Sequence, residues 1–121
     1  MDATEITKGI AAHARWKARL NTAIDTRKLS VPVSTIRVDN ECEFGKWLHG
    51  AAFPPAERNG QHYPKVKELH ARFHQSAATV AQLAEAGRAD EARKHMATNG
   101  DFALVSTELT MAMSAWRNTL A

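Results

Sequence analysis

Residues 64–86 read PKVKELHARFHQSAATVAQLAEA, with an apolar residue at every third or fourth position. This is the spacing of one helix face, so it predicts a long helix with one side buried. Pro64 suits the first helical turn, where its missing N–H is not needed, and Gly87 follows where a glycine commonly ends a helix. The positions that we expect to be buried are Val66, Leu69, Phe73, Ala77, Val80 and Ala84.

Two histidines, His70 and His74, share the inward side of this helix. Residues four positions apart stand one above the other on a helix, so two imidazoles at this spacing can hold a single ion. Cys42, the only cysteine, offers a thiolate, and His13 lies on the apolar stripe of a helix near the N-terminus. One sulfur and three nitrogens complete a tetrahedral zinc site. The predicted ligands of one Zn²⁺ are His13, Cys42, His70 and His74.

Each of these residues taken singly is weak evidence for a metal. A histidine on an apolar helix face is more often a hydrogen-bonded core residue than a ligand, and a free cysteine is usually a small buried hydrophobe. We assign His49, His62 and His95 to that ordinary class or to the surface. The zinc prediction rests on the combination of a single cysteine, a histidine pair and a third inward histidine.

The residues that flank Cys42 have structural interpretations of their own. Gly45 stands one helical turn beyond Cys42, where the missing side chain would let a neighbouring helix or the metal-bearing helix approach closely. Trp16, Trp47 and Phe73 are expected to surround the ion with apolar surface, a role that is compatible with ordinary packing in the core.

Helical spacing recurs outside residues 64–86, and no strand pattern is present, so the predicted fold class is all-α. The further helices are predicted at residues 4–26, in a short segment around Cys42, at 89–96 and at 102–118. Short connections between amphipathic helices favour antiparallel neighbours. We predict one domain over residues 1–121, an antiparallel four- to five-helix bundle with a zinc site between helices.

Two connections separate the helices. Residues 29–40 are rich in β-branched side chains and broken by Pro32, which predicts an extended loop. Asp39 or Asn40 is expected to cap the short helix that carries Cys42. Residues 50–60 contain proline and glycine turn signals.

Composition restricts the functional class. Hydrophobic residues make up 44% of the sequence and charged residues 24%, and no apolar run is long enough to span a membrane. The first residues lack the features of a secretory signal, and a single cysteine fits a reducing compartment, so we expect a cytoplasmic protein. The net charge of +3 comes from scattered basic residues, which does not favour nucleic-acid binding.

Three short blocks in this order carry a family resemblance: His13-x-x-Trp16, Cys42-x-Phe44-Gly45-x-Trp47 and His70-x-x-x-His74. They resemble the chemoreceptor zinc-binding family, the CZB domain. The resemblance implies a cytoplasmic bacterial regulatory domain that binds zinc through three histidines and one cysteine. Its members are usually attached to chemotaxis receptors or diguanylate cyclases, often dimerise, and respond to zinc or to oxidants such as hypochlorous acid. This chain contains neither a methyl-accepting coiled coil nor a cyclase domain, so the output partner is open, in cis or in trans.

Two alternatives from other classes stay open. A small zinc hydrolase would use the three histidines, but the position after His70 holds Ala71 rather than the glutamate of a His-Glu-x-x-His site. Glu68 precedes His70 by two residues and points elsewhere on the helix. A di-iron bundle would need carboxylate ligands inside the bundle. The expected protein is therefore a zinc-dependent signalling module and not an enzyme.

Two further expectations concern assembly and switching. Homodimerisation follows mainly from the resemblance, with small and apolar residues beside the main helix stripes: Ala11, Ala12, Ala103, Met111 and Ala112. Cys42 is expected to be the labile ligand, because its helix is short and lies between two proline-containing loops. Loss of zinc should then disturb residues 39–50 first.

Overall fold

Eight helices follow one another in residues 3–51 and 53–120, the part of the chain that the computed structural model describes. They are α1 (Thr4–Ala14), α2 (Trp16–Thr26), α3 (Val33–Arg37), α4 (Glu43–His49), α5 (Pro55–Arg58), α6 (His62–Glu85), α7 (Ala89–Met96) and α8 (Asp101–Thr119). No strand occurs in these residues, and the all-α bundle is confirmed. None of the described helices combines the length and the apolar character that crossing a bilayer requires. The predicted domain bounds, residues 1–121, extend beyond the described residues.

The long helix α6 lies at the centre of the bundle and packs against α2, α3, α5, α7 and α8. The six positions predicted to be buried along it are all at most 6% exposed. Ala78 and Ala81 are also fully buried, and their small side chains let neighbouring helices approach closely. The apolar face of one helix therefore positions most of the others.

Helix α8 runs antiparallel to α6. The rings of Tyr63 and Trp116 are 6.5 Å apart at one end of the pair. Further along, the rings of Phe73 and Phe102 are 5.2 Å apart. The antiparallel arrangement expected from short connections holds here, where only α7 intervenes.

The predicted first helix is present as α1 and α2, with Arg15 between them. Arg15 keeps helical dihedral angles, φ −68° and ψ −21°, and its N–H still bonds one turn back at 3.3 Å. Helix α2 runs in the same direction as α6, since His13, shortly before it, lies beside His70, and Arg27, directly after it, lies beside Gly87. The long connection through α3, α4 and α5 makes this possible, because it returns the chain to the other end of the bundle.

Residues 29–40 were predicted to be extended, but part of this segment forms the short helix α3. Pro32 stands at its N-cap with φ −63° and ψ 149°, where the absent N–H has no partner to lose. Ile36 is 3% exposed, and α3 packs on α6. Burial of Ile36 outweighs the weak helix preference of the β-branched residues around it.

Cys42, rather than Asp39 or Asn40, caps helix α4. Its backbone is extended, with φ −78° and ψ 158°, and its sulfur accepts a hydrogen bond from the Gly45 N–H at 3.3 Å. Sulfur is not among the preferred capping groups, which is why the sequence pattern favoured the neighbouring residues. Residues 50–60, predicted as turns, also contain the single helical turn α5.

Position 45 must be glycine because the loop before helix α4 passes very close to it. A Cβ atom at this position would lie 1.8 Å from the Asp39 carbonyl oxygen. The close approach is therefore made by the Asp39 backbone, whereas the sequence analysis predicted a neighbouring helix or the metal-bearing helix. Gly87 follows the prediction, since it takes a φ of 78° at the end of α6.

We expect Gly45→Ala to lower the free energy of unfolding by more than about 2 kcal/mol, because the Asp39 backbone must move to admit a methyl group. Gly60→Ala is the matched control, since a Cβ atom there meets only the Glu57 carbonyl oxygen at 3.4 Å. Urea unfolding of the two metal-free variants measures the difference. Equal midpoints for the two variants would show that the loop moves without cost.

Candidate metal centre

The structure brings together all four residues that the sequence predicts as ligands. His13 comes from the end of α1, Cys42 from the N-cap of α4, and His70 and His74 from the middle of α6. One ligand atom from each residue lies within 4.8 Å of the other three. Three separate segments of the chain thus converge on one point.

Five of the distances between donor atoms in this cluster are close to the edges of a small tetrahedron. The Cys42 Sγ is 3.3 Å, 3.5 Å and 4.0 Å from the Nε2 atoms of His70, His74 and His13. The His70 Nε2 is 3.0 Å from that of His13 and 3.2 Å from that of His74. Zinc bonds of about 2.0–2.1 Å to nitrogen and about 2.3 Å to sulfur imply tetrahedron edges of about 3.3 Å and about 3.6 Å. The donor set and its dimensions therefore fit a zinc ion.

Backbone carbonyls determine the tautomers of two histidines. The Nδ1–H of His13 donates to the Gly9 carbonyl at 2.7 Å, and that of His74 donates to the Ile36 carbonyl at 2.9 Å. Because a carbonyl only accepts, the proton of each neutral ring must lie on Nδ1. Both Nε2 atoms then point an unshared electron pair into the cluster. His13 and Gly9 are one helical turn apart, so the hydrogen bond between them follows from the helical repeat in the sequence, but we did not predict it.

Burial keeps the cluster histidines neutral. It lowers the pKa of His13 to about 4 and that of His70 to about 2, and it also lowers the pKa of His74. The same desolvation raises the pKa of the Cys42 thiol, with the Gly45 N–H acting in the opposite direction. At neutral pH the imidazoles can therefore act as metal ligands without first losing a proton.

Phenylalanine rings form the apolar wall of the cluster. The His13 ring lies 5.0 Å from that of Phe73 and 5.8 Å from that of Phe44, and Phe44 is also 5.2 Å from His70. Phe73 was predicted for this role, whereas Phe44 was missed. Trp47 packs one layer further out, because its ring neighbours in the described chain are Phe44, Phe53 and Trp116.

A cleft of about 260 Å³ leads from the surface to one side of the cluster. Its walls include Trp16, Ile36, Cys42 and His74, with Arg15, Arg19 and Glu41 among the other lining residues. Cys42 is half-buried, whereas the three histidines are at most 4% exposed. Cys42 is thus the least buried of the four cluster residues.

Two residues that the sequence analysis did not place at the site lie directly behind it. The Asp39 Oδ2 is 3.1 Å from His49 Nε2 and 4.0 Å from His70 Nδ1. The sequence predicts Asp39 only as a helix cap, and it predicts His49 as an ordinary core or surface histidine. No local spacing relates Asp39 to His70, because the two residues meet only through the tertiary fold.

Comparison with known proteins places these observations in a family. No curated protein and no solved structure gives a significant match to the chain. The family model described as the chemoreceptor zinc-binding domain matches residues 13–81, which include all four cluster residues and more than half of the sequence. The chain therefore belongs to the chemoreceptor zinc-binding domain family, and it is a zinc-binding domain.

Proposed function

We propose that this domain is a regulatory module whose four cluster residues bind one Zn²⁺ in a closed site, without catalysis of its own. It would control a signalling output, such as chemotaxis or cyclic-di-GMP synthesis, in response to zinc or to oxidants such as hypochlorous acid. The output domain would be a chemoreceptor or a diguanylate cyclase, in cis or in trans, in the cytoplasm. The observation that carries the proposal is the convergence of one sulfur and three histidine nitrogens within 4.8 Å of one another.

The closed donor set argues against a hydrolase. A catalytic zinc site keeps one coordination position for water or substrate, whereas four protein donors fill a tetrahedral site. The carboxylate that faces the histidines belongs to Asp39, and it faces the outer nitrogen of His70 at 4.0 Å. A carboxylate in that place is not positioned as a base for a metal-bound water. It is also not a carboxylate ligand of the kind that a di-iron centre needs.

Cys42 has the properties of the responsive ligand. A bound zinc ion keeps a coordinated thiol deprotonated, and the thiolate is the form that oxidants attack. Cys42 and His74 both border the cleft, and Cys42 is the less buried of the two. Attack of its sulfur on hypochlorous acid would form an S–O bond and release chloride, giving a sulfenic acid. Sulfur loses two electrons in this step and the chlorine atom gains them, and a sulfenic acid is a poorer ligand than a thiolate.

A chemical change at the Cys42 sulfur would alter the hydrogen bonds at the start of helix α4. The Cys42 sulfur accepts the Gly45 N–H at 3.3 Å, and its carbonyl accepts the Lys46 N–H at 2.9 Å. Phe44 and Leu48 are at most 3% exposed and hold the rest of α4 against the core. Release of Cys42 should therefore loosen the start of α4 within residues 39–50 and leave the bundle folded.

A titration of metal-free protein followed by hydrogen exchange tests this proposal. We expect one zinc ion to bind per chain, and we expect its removal to reduce protection at the amides of Gly45 and Lys46. Protection in α6 and α8 should change little, because their contacts do not depend on the ion. Cys42→Ala should give the metal-free pattern at all zinc concentrations.

Cys42→Ser is the matched control for the loss of the helix cap. Its hydroxyl can still accept the Gly45 N–H, but it is a poor zinc ligand, so zinc binding should be lost while part of the protection remains. Two metal ions per chain, or none, would contradict the proposed site. Global unfolding without zinc would replace the local switch with a purely structural site.

We further propose that the domain forms a homodimer through the exposed side of α8. Leu104 and Met111 lie seven residues apart on one helix face and are 49% and 67% exposed. Among the small residues that the sequence analysis considered for the dimer, Ala11 and Ala12 are also exposed. Ala112 is only 6% exposed and packs inside the bundle.

Light scattering at micromolar concentration should therefore give the mass of a dimer. Met111→Glu should give a monomer, because a buried carboxylate at an apolar interface is unfavourable. Val38→Glu is the control, since Val38 is 42% exposed but lies outside α8. A monomer mass for the unmodified chain would contradict the proposal.

A further inference from the structure

The three histidines of the cluster differ at their outer nitrogens. The Nδ1 atoms of His13 and His74 both bond to backbone carbonyls, at 2.7 Å and 2.9 Å. The Nδ1 atom of His70 is fully buried, yet it has no hydrogen-bond partner in the described part of the chain. His70 is also the most deeply buried of the three, with an exposure of 0%.

Metal binding makes this missing partner important. A neutral imidazole that binds a cation through Nε2 must carry its proton on Nδ1. The proton of His70 would then be a buried donor without an acceptor, which is unfavourable. Metal-bound histidines almost always donate this proton to a carboxylate, a carbonyl or a water molecule.

A carboxylate oxygen lies within reach of this nitrogen. The Asp39 Oδ2 is 4.0 Å from His70 Nδ1, and a movement of about 1 Å would bring the two atoms within hydrogen-bond distance. The same oxygen lies 3.1 Å from His49 Nε2, on α4, so the carboxylate is already held at the back of the cluster. An oxygen of this kind has room for both donors, because it carries two electron pairs.

Charge favours the same arrangement. A divalent cation with one thiolate and three neutral imidazoles has one net positive charge in an apolar surrounding. The Asp39 side chain is 23% exposed and is the carboxylate that faces His70. An ionised carboxylate there would balance the remaining charge and increase the basicity of the His70 ring.

We propose that Asp39 is a positioning residue of the zinc site, whose carboxylate accepts the Nδ1–H of His70 when the His70 Nε2 binds the ion. This inference rests on the proposed function, since it requires His70 to be a ligand. It also gives the loop before α4 two links to the site, through Asp39 to α6 and through Cys42 to the ion. Zinc occupancy would therefore bias the position of the whole loop.

Competition with a chromophoric chelator tests the proposal in the full chain. We expect Asp39→Asn to weaken zinc binding about 10-fold and Asp39→Ala up to about 100-fold, because an amide oxygen accepts the bond less strongly and a methyl group not at all. Asp101→Asn is the matched control. Asp101 faces another histidine, His95, at 3.8 Å from its Nδ1, outside the zinc site.

Glu41→Gln controls for charge alone. Glu41 lines the cleft beside Cys42, so this variant removes one negative charge near the site without touching His70. We expect zinc affinity to change by less than about 3-fold in Glu41→Gln. A loss equal to that of Asp39→Asn would overturn the proposal in favour of a general electrostatic effect.

Nitrogen-15 NMR of the zinc-loaded protein gives a readout that a merely structural role would not alter. The Nδ1–H proton of His70 should be visible and shifted downfield in the unmodified chain, and it should move upfield or exchange faster in Asp39→Asn. Unchanged affinity and an unchanged His70 signal in both Asp39 variants would overturn the inference while leaving the zinc site intact. Failure of the unmodified chain to bind zinc would instead overturn the proposed function.

Discussion

Three imidazole nitrogens and one sulfur all lie within 4.8 Å of one another inside an apolar surrounding. With their electron pairs directed inward, such groups repel one another unless a cation lies between them. The rest of the structure supports this arrangement. Carbonyls orient His13 and His74 from outside, Phe44 and Phe73 restrict water, and burial keeps the rings neutral. The same convergence ties α1, α4 and α6 together, so metal binding and packing reinforce each other.

The supporting elements differ in rigidity. Helix α6 is long, packs on most of the bundle and presents two donors at fixed spacing. Helix α4 is short. Cys42 at its N-cap accepts the first hydrogen bonds of the helix and also places its sulfur in the cluster. A site that combines a rigid pair of donors with one donor at a helix end is suited to reporting occupancy, because the change is concentrated in the less constrained element. Gly45 lies in that helix and Asp39 in the loop before it, and their close contact restricts how the helix can pack.

The kind of chemistry that such a domain can perform depends on how its donor atoms bind a metal, and not on its fold. Helical bundles support many activities, so the bundle alone does not define this one. A tetrahedral site that is filled by four protein donors has no open position for a substrate. Cys42 is the least buried of the four cluster residues, and a thiolate is in general the form of cysteine that oxidants attack.

The sequence alone determined the features that depend on local spacing. The helix face of residues 64–86, the pairing of His70 and His74 and the glycine at position 87 all follow from the helical repeat, which relates residues a few positions apart. It also identified His13 and Cys42 as candidates, by residue type and by the block pattern. Only the tertiary structure decided that α1 packs on α8 and α2 on α6, that residues 33–37 are helical and that the Cys42 sulfur caps its own helix. It alone placed Asp39 behind His70 and Phe44 against His13. These contacts join residues that are distant in the chain, and burial within the assembled core, which no local repeat encodes, brings them together.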